Sequence, residues 1–312
     1  MEQREDFSCL GEWLLAEEKK FYHQVSGGKR IIGKYLGEEK EVTLSSLSPG
    51  GKTYGLGSFA LCGTGEKARH YGVVRVPDTV KELCRDAFSL CTVDQVILGK
   101  DVENIHEDTF GSAVIHGLTV DPENPWYEMI GPILLDKRNR KMILCVSEKQ
   151  GWKEQPVFRI PEEVRIIGKN ALSCGYDGTW VLGKGVELIE EGAFSVFAPK
   201  DVRVEGHGRF TVENHCLIDR ERKTLLRYLK SEEAMLAFTP QKGGTVINRI
   251  GSFAFAGSEN LQRLKLPDTV KEVGEYAFCQ CSQLWDIRGG RADMTLGAGA
   301  LFGTRWAEIH NL

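Results

Sequence analysis

Four residue patterns in this chain have types and spacings that could do chemistry. Residues 46–53, SLSPGGKT, approach a phosphate loop. That loop needs Gly-x-x-x-x-Gly-Lys-Ser/Thr, so that backbone N–H groups can cradle phosphate oxygens, and Ser46 stands where the first glycine belongs. A helix should follow, but YGLGSFALC follows instead, so the stretch reads as a Gly-rich turn. Cys279 and Cys281 could open a metal site. Zinc takes four ligands, commonly from paired Cys-x2-Cys elements, and neither a second pair nor a nearby histidine follows. None of the seven histidines, His23, His70, His106, His116, His207, His215 and His310, falls in a metalloprotease frame, and no Gly-x-Ser-x-Gly nucleophile motif occurs. His215 aligns with Pro132 in an expected strand, where packing is its role. The neighbouring acids Glu162-Glu163, Glu190-Glu191 and Glu232-Glu233 read as solvated charges. A catalytic pair would need about 5–10 Å placement in a cleft. No catalytic, cofactor-binding or metal-ligating residue is assigned, and no cofactor is expected.

The bulk numbers narrow the class. The chain has 312 residues, 41% hydrophobic and 27% charged, which suits a folded globular protein. Its net charge of −4 argues against a nucleic-acid partner, whose receptor would carry a basic field. No apolar run reaches the length of a membrane span. Nine cysteines, an odd number, read as reduced and mostly buried thiols. Cys91 and Cys281 each stand four residues after a small residue, where a thiol packs as a small hydrophobe. The first twenty residues are mixed and acidic and lack the pattern of a signal peptide. The chain as given is therefore expected in a reducing, cytoplasmic setting, and a leader upstream would move it to the surface.

The elements that could position a site come from repetition. VPDTVKELCRDAFSLC (76–91) and LPDTVKEVGEYAFCQC (266–281) share nine of sixteen positions. Residues 98–110, 160–172 and 182–194 follow the same pattern. A first apolar position (Val76, Leu98, Ile160, Leu182, Leu266) is followed four residues on by a valine (Val80, Val102, Val164, Val186, Val270). Leu83, Ile105, Ile167, Ile189 and Val273 come next. A small residue and a large one close the pattern, as in Ala87-Phe88 and Ala277-Phe278. The small residues fall at 60, 87, 109, 171, 193, 254, 277 and 300, and five of the seven spacings lie between 22 and 27. A period near 22 belongs to solenoids, in which one coil cannot bury its apolar side alone but stacked coils can. The two longer spacings hold segments that align with each other, GPILLDKRNRKMILCV (131–146) and NHCLIDRERKTLLRYL (214–229). Each reads as apolar strand, charged turn, apolar strand, a hairpin. FYHQVSGGKRIIGKY (21–35) is a third.

Short alternating segments such as GVVRVP (72–77), VFRIP (157–161) and LKLP (264–267) read as strands stopped by proline. Stacking lines them up as a parallel sheet with one outward position per coil. By this register the outward positions are Arg75, Ile97, Thr119, Arg159, Val181, Arg203, Lys265 and Asp286. Four of the eight are basic, so the stripe could receive an acidic peptide or protein surface. Arg75, Thr119, Arg159, Arg203, Lys265 and Asp286 are the candidate partner-binding residues. Residues 1–20 are expected to form a capping helix starting from Ser8, with Leu10, Trp13, Leu14 and Phe21 near one face. Residues 304–312 are expected to close the other end.

The pattern of LPDTVKEVGEYAFCQC, repeated at this spacing, resembles the BspA-like leucine-rich repeats over roughly residues 21–303, hairpins included. The resemblance implies a right-handed leucine-rich-repeat solenoid with hairpins near 21–35, 129–147 and 211–229. It also implies a non-catalytic protein that binds other proteins. The expected function is a scaffold for protein–protein interaction. Two alternatives stand beside it, a bacterial surface adhesin for host or matrix proteins, as the resemblance implies, and a carbohydrate- or peptide-cleaving enzyme whose residues meet only in three dimensions.

Overall fold

The small residue of each repeat is small because the backbone turns sharply there. In the computed structural model, the residue before each small one is left-handed. The φ angles are 58° at Phe59, 59° at Asp86, 61° at Asp108, 59° at Asn170, 77° at Gly192, 58° at Phe253, 52° at Tyr276 and 60° at Gly299. Asp, Asn and Gly tolerate that region, whereas a bulky side chain there costs about 1–2 kcal/mol. The corner is fixed by regular bonding between coils. Where one coil directly follows another, the N–H of the large residue donates to the carbonyl of the next coil's small residue: Leu61 to Ala87 (3.0 Å), Phe88 to Thr109 (3.0 Å), Leu172 to Ala193 (2.8 Å), Phe255 to Ala277 (2.7 Å) and Phe278 to Ala300 (2.8 Å). Adjacent repeats are thus joined through their backbones, and within each of the two units described below the chain winds as a β-solenoid.

The structure describes residues 14–15, 21–26, 29–44, 54–62, 69–147, 154–194, 199–206, 208–237 and 244–310. The chain divides into two units, Met1–Asn139 with Ile143–Lys149, and Arg140–Met142 with Gln150–Leu312. The first contains β1 (Leu14–Leu15), β2 (Phe21–Ser26), β3 (Lys29–Tyr35), β4 (Glu41–Thr43), β5 (Tyr54–Leu56), β6 (Arg69–Val76), β7 (Val80–Leu83), β8 (Cys91–Leu98), β9 (Asn104–Ile105), β10 (Val114–Ile115), β11 (Leu118–Val120), β12 (Tyr127–Ile130) and β13 (Ile133–Asp136). Its strands form two sheets besides the antiparallel β12–β13 pair. One runs β1-β2-β3-β5-β7-β9; the other runs β10-β8-β6-β4, with β11 also on β8. Among the described residues of this unit, strands of successive coils pair in parallel, and the β1–β2, β2–β3 and β12–β13 pairs are antiparallel.

β14 (Lys141–Cys145) follows the turn after β13, and its first two residues belong to the second unit. That unit continues with β15 (Val157–Arg159), β16 (Ile166–Ile167), β17 (Thr179–Leu182), β18 (Leu188–Ile189), β19 (Asp201–Val204), β20 (Phe210–Glu213), β21 (Cys216–Asp219), β22 (Thr224–Tyr228), β23 (Met235–Ala237), β24 (Arg249–Ile250), β25 (Arg263–Leu266), β26 (Glu272–Val273), β27 (Asp286–Gly289), β28 (Thr295–Leu296) and α1 (Arg305–His310). Three-stranded sheets β15-β17-β19 and β23-β25-β27 carry the proline-stopped strands. The antiparallel meander β20-β21-β22 starts the longer sheet β20-β21-β22-β24-β26-β28. Here the hairpin's last residue takes a coil's place: Tyr228 N–H donates to Ala254 O (2.7 Å), and its ring stacks on Phe255 at 5.2 Å.

The core of each unit is a ladder of like residues. Phe88 and Phe110 lie 5.0 Å apart in the first unit, and Phe255 and Phe278 lie 5.1 Å apart in the second. Thr109 replaces the usual alanine and is buried, its hydroxyl donating to the His106 carbonyl at 2.8 Å. Buried Asn124 donates to Gly99 and Val102 carbonyls and accepts from the N–H groups of Trp126 and Tyr127, so it closes a turn without an orphaned polar atom.

Two expectations about the ends meet the structure differently. The N-terminal capping helix from Ser8 to Lys20 lies outside the described residues except for Leu14–Leu15. Those two form β1, an extended segment paired antiparallel with β2 through Leu14 and His23. Pairing satisfies a hairpin edge whose N–H and C=O groups would otherwise face outward. At the other end, α1 is capped by Thr304, fully buried, whose hydroxyl accepts the Ala307 N–H at 3.1 Å. Ala307 packs inward, and Trp306 N–H donates to Leu284 O at 2.7 Å.

Candidate functional site

Outward side chains of the parallel strands line up in rows because parallel pairing in register places like positions side by side. In the first unit Thr43, Arg75, Ile97 and Thr119 form one row across β4, β6, β8 and β11. Arg75 and Thr119 are exposed and Ile97 is half-buried. The Gln95 amide, one row back, donates to the Thr119 hydroxyl at 3.4 Å.

In the second unit Arg159, Val181 and Arg203 form a row across β15, β17 and β19. Val181 was expected to face outward, and it is buried at 2% exposure. The cause lies in its neighbours. Arg159 reaches across β17 to Glu205 (2.8 Å), and Arg203 turns to Asp201 (3.4 Å). Arg159 holds the Glu205 carboxyl below its usual range by hydrogen bonding, and Glu205 raises Arg159 in return. Both arginines are therefore neutralised locally, so this row carries less free positive charge than its composition suggests.

The third set of strands shifts one expected partner. Ala237, Lys265 and Arg288 form one outward row, and Met235, Arg263 and Asp286 form the other. Asp286 therefore lies beside Arg263, two residues from the expected register, and Arg288 stands beside Lys265. The inward position closing β27 is Gly289 at φ 81°, opposite Leu266, where an added Cβ would meet the Leu266 carbonyl oxygen at 2.2 Å. Arg288 turns back to Asp286 at 2.9 Å, and that carboxylate raises the guanidinium's pKa.

The residues singled out for chemistry disperse. Residues 46–53 lie outside the described residues, and Tyr54–Leu56 just after them form strand β5 rather than a helix. Cys281 is buried, its thiol donating to Phe255 O at 3.0 Å, and burial pushes it up to about 12. Cys91 is held alike, donating to Phe88 O at 2.8 Å. Among the described residues no group of three His, Cys, Asp or Glu is placed to hold a metal ion. His215 corrects its expected strand position. It sits with Asn214 in the two-residue turn between β20 and β21, both at positive φ, and its side chain is about half exposed, 4.0 Å from Glu233. His207 lies outside the described residues. Glu190 and Glu191 are not free charges. Glu190 accepts from Lys141 at 2.8 Å, and Glu191 clamps Arg249 and Ser252 of a coil some sixty positions on. An open cleft of about 560 Å³ lies beside Val204, Phe210 and Arg220. Arg220, the charged side chain among its described lining residues, faces Glu213 at 3.7 Å.

Three features escaped the sequence reading. Arg263 and Arg288 were legible in principle, since each lies two residues from a chosen outward position. Arg227 was not. It is 1% exposed in β22 and donates to the carbonyls of Phe253 and Ala256 (2.8 Å to the latter). Burial lowers its pKa to about 10. Its place in the hairpin corresponds to Leu144 in the other, so the sequence offers no signal for it. Among the described residues no helix is long and apolar enough to cross a membrane.

Residues 68–124 and 242–309 match the BspA type leucine rich repeat region, in six copies. A leucine-rich cell surface protein from Faecalibacterium prausnitzii A2-165 is similar at 18% identity and TM-score 0.35, over 90% of this chain and 95% of that one. A leucine-rich repeat protein from Eubacterium ventriosum is similar at 13% identity and TM-score 0.39, over 94% of each chain. The pneumococcal vaccine antigen PcpA is similar at 14% identity and TM-score 0.39, over 91% of this chain and 71% of that one. Comparison with curated proteins gave no match.

Proposed function

We propose, for a chain that carries BspA-type leucine-rich repeats, a non-catalytic scaffold that binds a protein partner on the outward faces of its parallel strands. The supporting observation is the lateral alignment of outward side chains. Arg75 with Thr119 in one unit, and Arg159 with Arg203 and Lys265 with Arg288 in the other, stand in register on hydrogen-bonded parallel strands. Such a face binds with little loss of chain freedom, which favours a partner lying across several coils. Charged and polar groups dominate it, so partner choice rests on charge complementarity more than on apolar area. Arg75, Thr119, Arg159, Arg203, Lys265 and Asp286 remain the candidate contacts.

The test is affinity capture from native lysate, with wild type beside a variant carrying Arg75→Glu, Arg159→Glu and Arg203→Glu. The reading expects a partner retained by wild type and lost by the variant. A partner retained equally by both proteins would reject these rows as the binding face.

A further inference from the structure

The three strands β23, β25 and β27 carry a concentration of cations that the other outward rows lack. Lys265 and Arg288 are lateral neighbours on paired parallel strands, roughly 4.8 Å apart at the backbone. Arg263 stands two residues from Lys265 on the same face, roughly 6.7 Å away. Like charges set side by side on a sheet oppose folding. In the row of Arg159 and Arg203 the problem does not arise, because Val181 separates the cations and each has its own acid. Here three cations share one acid, Asp286, which pairs with Arg288. Among the described residues, no acidic side chain lies within 4.0 Å of Arg263 or Lys265. An uncompensated cluster on a rigid sheet suits a function outside the fold.

The surroundings specify the shape of the ligand. Met235 is 53% exposed in the row of Arg263, and Trp285, just before β27, is 40% exposed. Ala237 leaves the row of Lys265 low. Arginine, tryptophan and methionine are the side chains that concentrate at interface centres. The Arg263–Lys265 spacing equals the repeat between same-side residues of an extended peptide.

Building on the scaffold reading, we propose that the outward face of β23, β25 and β27 receives an extended peptide segment bearing two carboxylates two residues apart. The segment lies along β25, with one carboxylate on Arg263 and the other between Lys265 and Arg288. The residue between the carboxylates faces away, and flanking apolar side chains rest on Met235 and Trp285.

The probe is a fluorescein-labelled peptide, Val-Ser-Glu-Ser-Glu-Ser-Val, read by polarisation against its isomer with adjacent glutamates, Val-Ser-Glu-Glu-Ser-Ser-Val. Wild type should prefer the first peptide, and raising salt from about 50 to about 500 mM should weaken it severalfold. Each exposed pair contributes about a two- to fivefold factor. Arg263→Glu with Lys265→Glu and Arg288→Glu should therefore weaken binding at least about tenfold, and the milder triple glutamine variant somewhat less. Asp286→Asn releases Arg288 and should tighten binding about two- to fivefold, a gain that misfolding cannot imitate. Three results would each overturn the assignment: no binding by wild type at about 1 mM peptide, equal affinity for the isomers, or displacement by a ten-nucleotide oligouridine at matched charge. If Arg159→Glu with Arg203→Glu weakens the peptide and the triple reversal does not, this placement fails while the scaffold reading stands. The scaffold reading fails separately, in the capture experiment.

Discussion

Phe255 is the side chain on which the solenoid account can be made most quantitative. It is fully buried, with its ring 5.2 Å from Tyr228 on one side and 5.1 Å from Phe278 on the other. Truncation to alanine removes about 3 kcal/mol of apolar transfer. It also removes two aromatic contacts of about 0.5–1.5 kcal/mol each. The sum is about 4–6 kcal/mol, and against the roughly 3–5 kcal/mol typical of buried phenylalanine it places the cost at the upper end, about 4–5 kcal/mol. Leu301 holds the same repeat position in the last described coil, but it is only half-buried. Leu301→Ala should cost no more than about 1–2 kcal/mol, because transfer scales with the area removed from water. Urea unfolding followed by far-ultraviolet circular dichroism compares the two. Should Phe255→Ala fail to fold, Phe255→Leu, at about 1–2 kcal/mol by the same reasoning, provides the reading. Equal costs for the two alanine variants, or a cost below about 1 kcal/mol at Phe255 for whichever variant folds, would refute the stacked ladder.

Other predictions follow from single contacts. Burial alone would raise the Glu191 carboxyl, but hydrogen bonds from Arg249 and Ser252 hold it below its ordinary value of 4.5. Its folded pKa is depressed, so its contribution is present above the unfolded value and lost as pH falls through the folded one. Glu191→Gln should lower stability by about 1–3 kcal/mol at neutral pH and flatten the decline below about pH 4.5 in acid-unfolding curves. Asp219 is fully buried and accepts from Arg209 (2.7 Å) and from the N–H groups of Glu221 and Arg222. Asp219→Ala should cost about 3–5 kcal/mol by denaturant titration, and Asp219→Asn, which keeps the turn's acceptor, should cost less. At Gly299 (φ 60°) an added Cβ would meet the Tyr276 ring at 2.4 Å, so Gly299→Ala should lower the melting temperature by several degrees.

The coils were legible because their requirements fall on residue type. A left-handed corner followed by a crowded position selects a small residue, and the coil centre selects a large one, so Ala87-Phe88 and Ala277-Phe278 mark the same geometry wherever they occur. The first strands of the two meanders were missed. Tyr127–Ile130 and Phe210–Glu213 precede the segments that align, and their half-buried side chains alternate weakly. The Asp286 register failed for a definite reason. Hydrophobic pattern places the strand end at Ile287, but the inward position opposite Leu266 is Gly289, which has no side chain to reveal it. Neutralisation of Arg159 was also out of reach. Arg159 pairs with Glu205, 46 positions away, and only the stacking brings them together. Composition therefore overstated the positive charge of that row and overlooked the row of Lys265 and Arg288.

Site-directed photocrosslinking in native lysate tests the binding face most directly. Benzoylphenylalanine placed at Thr119 or Lys265 reports the outward rows. The same probe at Glu272 in β26 or Glu221 in a hairpin turn reports surfaces outside them. The account predicts a discrete crosslinked partner from Thr119 or Lys265 and none from Glu272 or Glu221. A partner captured only from Glu272 or Glu221 would contradict it and move the binding surface away from the parallel strands.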